Sequence, residues 1–337
     1  MKLEVLAPAR SGLAPIALLR ATPLLFPLVF VWTAVTGVLF TLYAALAAHL
    51  LIIASELTVG RRWSDVAIPR LVEGSSKFED AWPIAWSVFH IVALAAALSF
   101  VGSAELSYRQ VFAVGAFFGY SINAFSAAAA HELLHRDHPL HRAIGRLLFA
   151  IMLYPHFPRV HLSAHHHWAG TDMDCQSPKP RQTIHAYLVQ ALLGGFLAAS
   201  TPQARALDRG LPVRALLCLL VVAAPLMFAP ALSAFLIVQG FFAFLVIETI
   251  NYVQHCPLPD DDHSGGAAGS THQDSNFVSR ALLLNLPLHA SHHDRPGLRY
   301  ADLASSPEAE TSRLGYWCSF WLVWLPPLWH SLRHNLR

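Results

Sequence analysis

Apolar residues run along this chain in blocks longer than a soluble fold uses. A helix needs about 20 of them to cross the hydrocarbon core of a bilayer. From residue 15 to 55 the only charged side chain is Arg20, and Glu56 ends the block. That length holds two crossings, 15–35 and 38–59, joined by a tight turn near Thr36 and Gly37. Residues 82–101 and 111–130 form a third and fourth, and 213–229 and 231–252 a fifth and sixth, divided by Pro230. The pattern predicts an all-α integral membrane protein of six transmembrane helices in three hairpins. All 337 residues, 1–337, form one membrane-embedded unit.

Polar positions orient it, because Lys and Arg accumulate on the cytoplasmic side of a membrane. The presumed outer turns, near 37, 102–110 and 229–231, hold one of the 23 basic residues, Arg109. Both termini and every large loop are therefore expected to be cytoplasmic. The N-terminus has no short apolar segment with a cleavage site and is expected to be retained. Three further apolar stretches, 143–157, 186–200 and 314–330, are short or broken by Pro and suit an interfacial position; the last has the Trp content of a headgroup boundary. Residues 257–276 are rich in Gly, Asp and Ser and read as a mobile loop in which His263 and His272 are solvated.

Composition agrees with this placement. The chain is 55% hydrophobic and 13% charged, where soluble domains carry about 25% charged residues. The net charge of +2, with no basic run interleaved with aromatics, gives no sign of nucleic-acid binding. Cys175, Cys218, Cys256 and Cys318 are scattered, without CxxC spacing, so neither an iron–sulfur cluster nor a disulfide framework is expected. No flavin or nicotinamide motif appears.

The 20 histidines carry the chemistry. "HELLH" follows the fourth crossing and sets His131 and His135 at i and i+4, on one helix face, the spacing that grips a metal. "HLSAHHH" repeats that spacing with His161 and His165, followed by His166 and His167. The sixth crossing ends in "NYVQH", bringing His255 to the membrane edge, and "LHASHHD" supplies His289, His292 and His293. One tetrahedral site takes four protein ligands at most, so nine histidines point to two metals with four or five nitrogens each. Imidazole suits Zn, Cu, Fe and Ni alike.

These ordered boxes resemble those of the membrane alkane 1-monooxygenase family, within the wider class of membrane fatty acid desaturases and hydroxylases. "NYVQH" brings the likeness closer to alkane hydroxylases than to eight-histidine acyl desaturases. The resemblance implies a cytoplasmic histidine-rich cap. In it His131, His135, His161, His165, His166, His255, His289, His292 and His293 hold two irons that activate dioxygen as co-substrate. It also implies hydroxylation of a C–H bond in a lipid-phase substrate such as an alkane or fatty acyl chain. Electrons would come from an external donor, rubredoxin or ferredoxin with its reductase. His167, His138 and His141 fall outside the boxes. Val160 stands where the family usually has an acid before the second box, and Gln254 where it has Glu, which changes what surrounds the ligands.

Several residues near the boxes have two readings each. Asp172, Asp174 and Asp294 follow histidine boxes closely, as partners for imidazole N–H groups or as solvated loop acids. Glu248, with Asn251 and His255 on the same helix face, is expected to act at the site, because a carboxylate inside a membrane helix is costly. Phe117, Phe118, Phe125 and Tyr120 of the fourth crossing are expected mostly to face lipid. The nearest rival is a desaturase or decarboxylase using the same irons. A rival of another class is an intramembrane zinc protease with Glu132 of HExxH as general base, although it leaves six histidines idle. A third is a metal transporter, whose histidines belong at mid-depth rather than at helix ends.

Overall fold

The computed structural model describes residues 20–25, 38–60, 76–256, 271–306 and 314–333. Helices make up its framework, and no β-strand occurs among the described residues. In chain order the main ones are α1 (Val38–Ser55), α2 (Ser76–Ser103), α3 (Tyr108–Leu134), α4 (Pro139–Ile151), α5 (Ile184–Ala199), α6 (Leu211–Ala223), α7 (Pro230–His255), α8 (His289–Asp294) and α9 (Tyr316–Leu322).

Three of the six expected crossings are helices long and apolar enough to span a bilayer: residues 79–103 of α2, all of α3, and α7. The segment 15–35 lies mostly outside the described residues. Residues 38–59 form α1 and one wider π-helical turn at Glu56–Gly60. The segment 213–229 is shorter than its hydropathy suggests. Pro225 converts the end of α6 to a 3-10 turn, Ala224–Met227, and 13 helical residues rise only about 20 Å against a core of about 30 Å.

α3 is the centre of the bundle. It begins at a capping box in which Ser107 Oγ accepts the Gln110 N–H and Gln110 Oε1 accepts the Ser107 N–H at 2.9 Å, satisfying two N–H groups that a helix start leaves free. From there it runs almost wholly enclosed, because α1, α2, α4 and α7 pack around it and rings of α9 reach it. Phe117, Phe118 and Phe125 are therefore buried in protein and not turned to lipid as expected. Phe118 meets His90 and Phe235 edge-on, and Phe125 meets Trp86 and Trp317. Tyr120, half-buried, lies against His49 and Phe320.

The close approach of α3 to α7 rests on Gly115 and Gly119, four residues apart. A Cβ on Gly119 would sit 2.5 Å from the Gln239 carbonyl oxygen and 2.6 Å from Phe242 Cβ; one on Gly115 would sit 2.9 Å from Val238. Small residues at this spacing let membrane helices touch backbone to backbone, where hydrogen bonds across the contact add to the packing. Asn123 Nδ2 donates to Gln239 Oε1 at 2.8 Å, and Gln239 Nε2 donates to the Ile151 carbonyl at 2.9 Å, linking α3, α7 and the end of α4. A π-helical turn at Phe118–Ile122 lies at the same level and re-aims the half of α3 that carries His131.

Gly119→Val is expected to push α3 from α7 and to lower the midpoint of thermal unfolding in detergent far more than Gly102→Val, since a Cβ on Gly102 meets only Leu232 at 3.6 Å. Differential scanning fluorimetry of the two variants checks this.

Candidate metal centre

The histidine boxes sit at the ends of α3 and α7, in the segment 157–168, and on α8. Their nine side chains gather into two clusters, His131, His135, His161, His166 and His292 in one and His165, His255, His289 and His293 in the other. Within each cluster one ligand atom per residue lies within 4.8 Å of every other. In the first, the Nε2 atoms of His135, His161 and His166 are 3.0–3.2 Å apart. In the second, His289 Nε2 is 3.0 Å from His255 Nε2 and 3.1 Å from His293 Nε2. The clusters adjoin, with the rings of His166 and His293 4.7 Å apart between centroids.

Local backbone form decides which histidine joins which cluster. The spacing in "HLSAHH" places His161 and His165 on one α-helical face, gripping one ion. Instead residues His161–His165 make a π-helical turn, in which i and i+5 come into line. His161 is thereby paired with His166, and His165 is turned into the other cluster. On α8 the α-helical spacing holds, so His289 and His293, at i and i+4, share the cluster of four, while His292 reaches across to the cluster of five.

The donor set fits metal ions. Two imidazole nitrogens at right angles on one ion, each bonded at about 2.1 Å, stand about 3.0 Å apart, which matches the shortest contacts here. The buried Nε2 atoms of His131, His165 and His292 have no hydrogen-bond partner among the described residues. Burial first, then repulsion between neighbouring imidazoles, pushes His161, His166, His289, His292 and His293 well below the usual histidine range, and His135 to about 3. The rings are thus neutral at physiological pH, the form whose lone pair binds a metal.

The flanking acids separate cleanly. Asp174 is buried and its Oδ2 lies 2.8 Å from His165 Nδ1. Burial works to raise the Asp174 carboxyl, but His165, Ser177 and the Gln176 N–H outweigh it and hold the group below its ordinary range. Asp172 and Asp294 are exposed, beside Lys179 and Arg295. Glu248 is fully buried and contacts no histidine among the described residues. Its carboxylate accepts the Tyr154 and Tyr187 hydroxyls, each at 2.7 Å, the Asn251 amide at 3.2 Å and the Gln176 amide at 3.4 Å. Sequence reasoning placed Glu248 on the histidine face of α7 but missed Tyr154, Tyr187 and Gln176. Nothing in their spacing marks them, since they reach Glu248 from three separate segments.

Glu132 turns away from both clusters, paired with Arg136 at 2.6 Å and accepting the Tyr300 N–H at 3.2 Å. Its carboxylate is thus engaged by Arg136 and the Tyr300 N–H. His167 is exposed and in neither cluster. His138 caps α4, its Nδ1 accepting the Leu140 N–H at 3.3 Å, and His141 is partly exposed beside it. Val160, where an acid is usual, is buried apolar surface, and Gln254 donates weakly to the Leu286 carbonyl at 3.4 Å.

His272 departs from expectation. Residues 257–270, with His263, lie outside the described part, but 271–276 are tied down. The His272 N–H donates to the Gln254 carbonyl, and its Nε2 lies 2.7 Å from the Cys256 carbonyl oxygen. Beyond it, the buried Asp274 accepts the Asn276 N–H at 2.9 Å and shares the Ser279 hydroxyl with Glu56. Glu56 in turn accepts the N–H groups of Tyr316, Trp317 and Cys318 at the start of α9. Gly315, at φ +84°, leaves the room this needs, since a Cβ there would sit 2.8 Å from Glu56 Oε2.

A small cavity of about 30 Å³ opens against both clusters, with His131, His161 and His289 in its wall. The rest of the wall is chiefly apolar and includes Ala124, Ala127 and Ala128 of α3 and Ile247 and Ile250 of α7.

Residues 107–306 match the fatty acid desaturase family. The chain belongs to that family. It is similar to alkane 1-monooxygenase 1 of Pseudomonas aeruginosa, 31% identical over 64% of this chain and 60% of the relative, and to alkane 1-monooxygenase 2 of the same organism, 29% identical over 64% and 61%. It is also similar to the xylene/toluene monooxygenase hydroxylase component of Pseudomonas putida, 28% identical over 60% of this chain and 58% of the relative. The chain thus spans about three fifths of the length of these relatives. The matched region contains all nine clustered histidines.

Asp274 supplies a pH test independent of the metal ligands. Burial raises its carboxyl to about 6. A carboxyl raised on folding contributes stability below the unfolded value near 4, and that contribution is lost as pH rises through about 6. Asp274→Asn should therefore gain stability relative to the parent between pH 5 and pH 8. Thermal unfolding at the two pH values measures it, and an unchanged difference contradicts the assignment.

Proposed function

We propose that this protein is a membrane-bound non-haem di-iron monooxygenase that hydroxylates a C–H bond of a hydrophobic substrate, an alkane, fatty acyl chain or related lipid. Dioxygen is the co-substrate, and electrons come from an external donor, rubredoxin or ferredoxin with its reductase. The observation that carries the reading is the pair of adjoining all-imidazole clusters with an apolar cavity against both. Iron is the choice supported by the alkane and xylene monooxygenase relatives, and one ion per cluster is the count suggested by five and four ligands. Bound iron would supply the activation of dioxygen and the electron transfers; the chain does the rest.

His131, His135, His161, His166 and His292 would hold one ion and His165, His255, His289 and His293 the other, all through neutral nitrogens. The cavity wall of Ala124, Ala127, Ala128, Ile247 and Ile250 orients an apolar group toward His131, His161 and His289 and keeps bulk water from it. Glu248 acts as a positioning residue: it clamps Tyr154 and Tyr187 and so fixes the segment that carries Asp174. In the membrane, six crossings with both termini and the metal centre on the cytoplasmic side of an inner or plasma membrane would let the site meet cytosolic electrons and lipid-phase substrate together.

The test is full-length protein in membranes with a reductase system, given an alkane under ¹⁸O-labelled dioxygen. An alcohol carrying one labelled oxygen is expected, together with about two irons per chain. An unlabelled alkene would show desaturation, and zinc alone with full activity would overturn the proposal. Alanine at His289, His292 or His293 should abolish product, the opposite of what a protease site of HExxH alone requires. Ala128→Leu, which fills the cavity, should cut turnover at least about tenfold while leaving bound metal unchanged.

A further inference from the structure

The two clusters differ in more than ligand number. Among the described residues, His165 is the one clustered histidine whose second nitrogen meets a carboxylate, Asp174 Oδ2 at 2.8 Å from Nδ1, with both side chains fully buried. The Nδ1 atoms of His161 and His166 in the cluster of five, and of His255, His289 and His293 in the cluster of four, are buried without a hydrogen-bond partner among the described residues.

Asp174 is held as a built element. Its Oδ2 also accepts the Ser177 hydroxyl at 2.6 Å, and its Oδ1 the Gln176 N–H at 3.0 Å. Ser177 Oγ in turn accepts the Gly170 N–H at 2.8 Å, closing the loop on itself. Helix α5 backs the loop: a Cβ on Gly194 would sit 2.5 Å from Cys175 Cβ. The Tyr187 hydroxyl shares its proton between Glu248 and the Gln176 carbonyl, at 2.7 and 3.0 Å. Such support aims one carboxylate oxygen at one imidazole and leaves it little freedom to move.

We infer that Asp174 makes the two metal positions unequal, strengthening the cluster of four so that its ion is held by four nitrogens and a buried negative charge one residue behind them. This rests on the reading of the clusters as metal centres. A carboxylate that accepts Nδ1–H fixes the tautomer with the lone pair on Nε2, sets the ring's orientation and raises its basicity. The cluster of five has an additional nitrogen and, among the described residues, no such carboxylate. The cluster of four gains through His165 part of the donation that a fifth ligand would give. Its ion therefore sits in the more electron-rich environment of the two, per nitrogen bound.

The test uses the metal-free full-length protein in detergent, titrated with Co(II) against a competing chelator and followed by visible absorption. The parent should bind two ions. Asp174→Asn keeps the shape and removes the charge. It should weaken one ion about 10–100-fold and move the absorption of that ion alone, while the other binds as before. Asp174→Glu should recover part of the loss, and in a His165→Ala background Asp174→Asn should add nothing. Far-ultraviolet circular dichroism confirms that the variants are folded. Two ions bound by Asp174→Asn with unchanged affinities, or both weakened equally, overturns the inference. A parent that binds no Co(II) overturns the metal reading with it.

Discussion

Nine imidazoles packed ring against ring and out of water are what the surrounding helices have to accommodate. A protonated ring among them would pay the cost of leaving water and then the repulsion of its neighbours. The ends of α3 and α7 exclude solvent around the clusters, and among the described residues the one carboxylate in contact with a clustered ring is Asp174, against His165. Neutral rings with converging nitrogens are not stable for their own sake. Each buried lone pair without a donor is a cost, and a metal ion is the partner that removes several at once. The site thus spends fold stability that ligation would return.

That cost is borne by packing elsewhere. α3 carries His131 and His135, and α7 carries His255, so the clusters have the right separation only if these helices keep a fixed distance and rotation. Gly115 and Gly119 set the distance, and Asn123 with Gln239 sets the register. On the opposite side the Glu56 and Asp274 carboxylates tie the end of the α1 segment, the strand of chain after α7 and the start of α9 together. Burial makes such polar ties worth keeping, because a buried carboxylate without partners is costly.

Much of the site was legible in the sequence. The boxes named all nine clustered histidines and set aside His167, because each box places charge-capable ligands at helical spacing beside a long apolar run. Glu248 stood out as a carboxylate where lipid would reject one, but among the described residues its partners are Tyr154, Tyr187, Asn251 and Gln176 and no clustered histidine. The partition between clusters was not legible. It depends on a π-helical turn at 161–165, and the residues of that turn have no pattern that distinguishes it from an α-helix. Tyr154, Tyr187 and Gln176 were invisible because contact with Glu248 is made across 94, 61 and 72 residues of chain. Phe117, Phe118 and Phe125 were misplaced because hydropathy reports that a helix is apolar all round, and lipid and protein interior look alike to it.

By itself the sequence determined the class of the molecule and its chemistry: apolar runs that demand a membrane, and imidazoles gathered at the ends of those runs. These follow from local composition, which transfer energies and ligand chemistry read directly. Tertiary structure decided which imidazoles share a cluster, which acid stands behind His165, and that Glu132 holds Arg136 and Tyr300 instead of facing the site. Those outcomes hang on contacts of 3.0–3.2 Å between segments far apart in the chain. Only the packed backbone sets such distances.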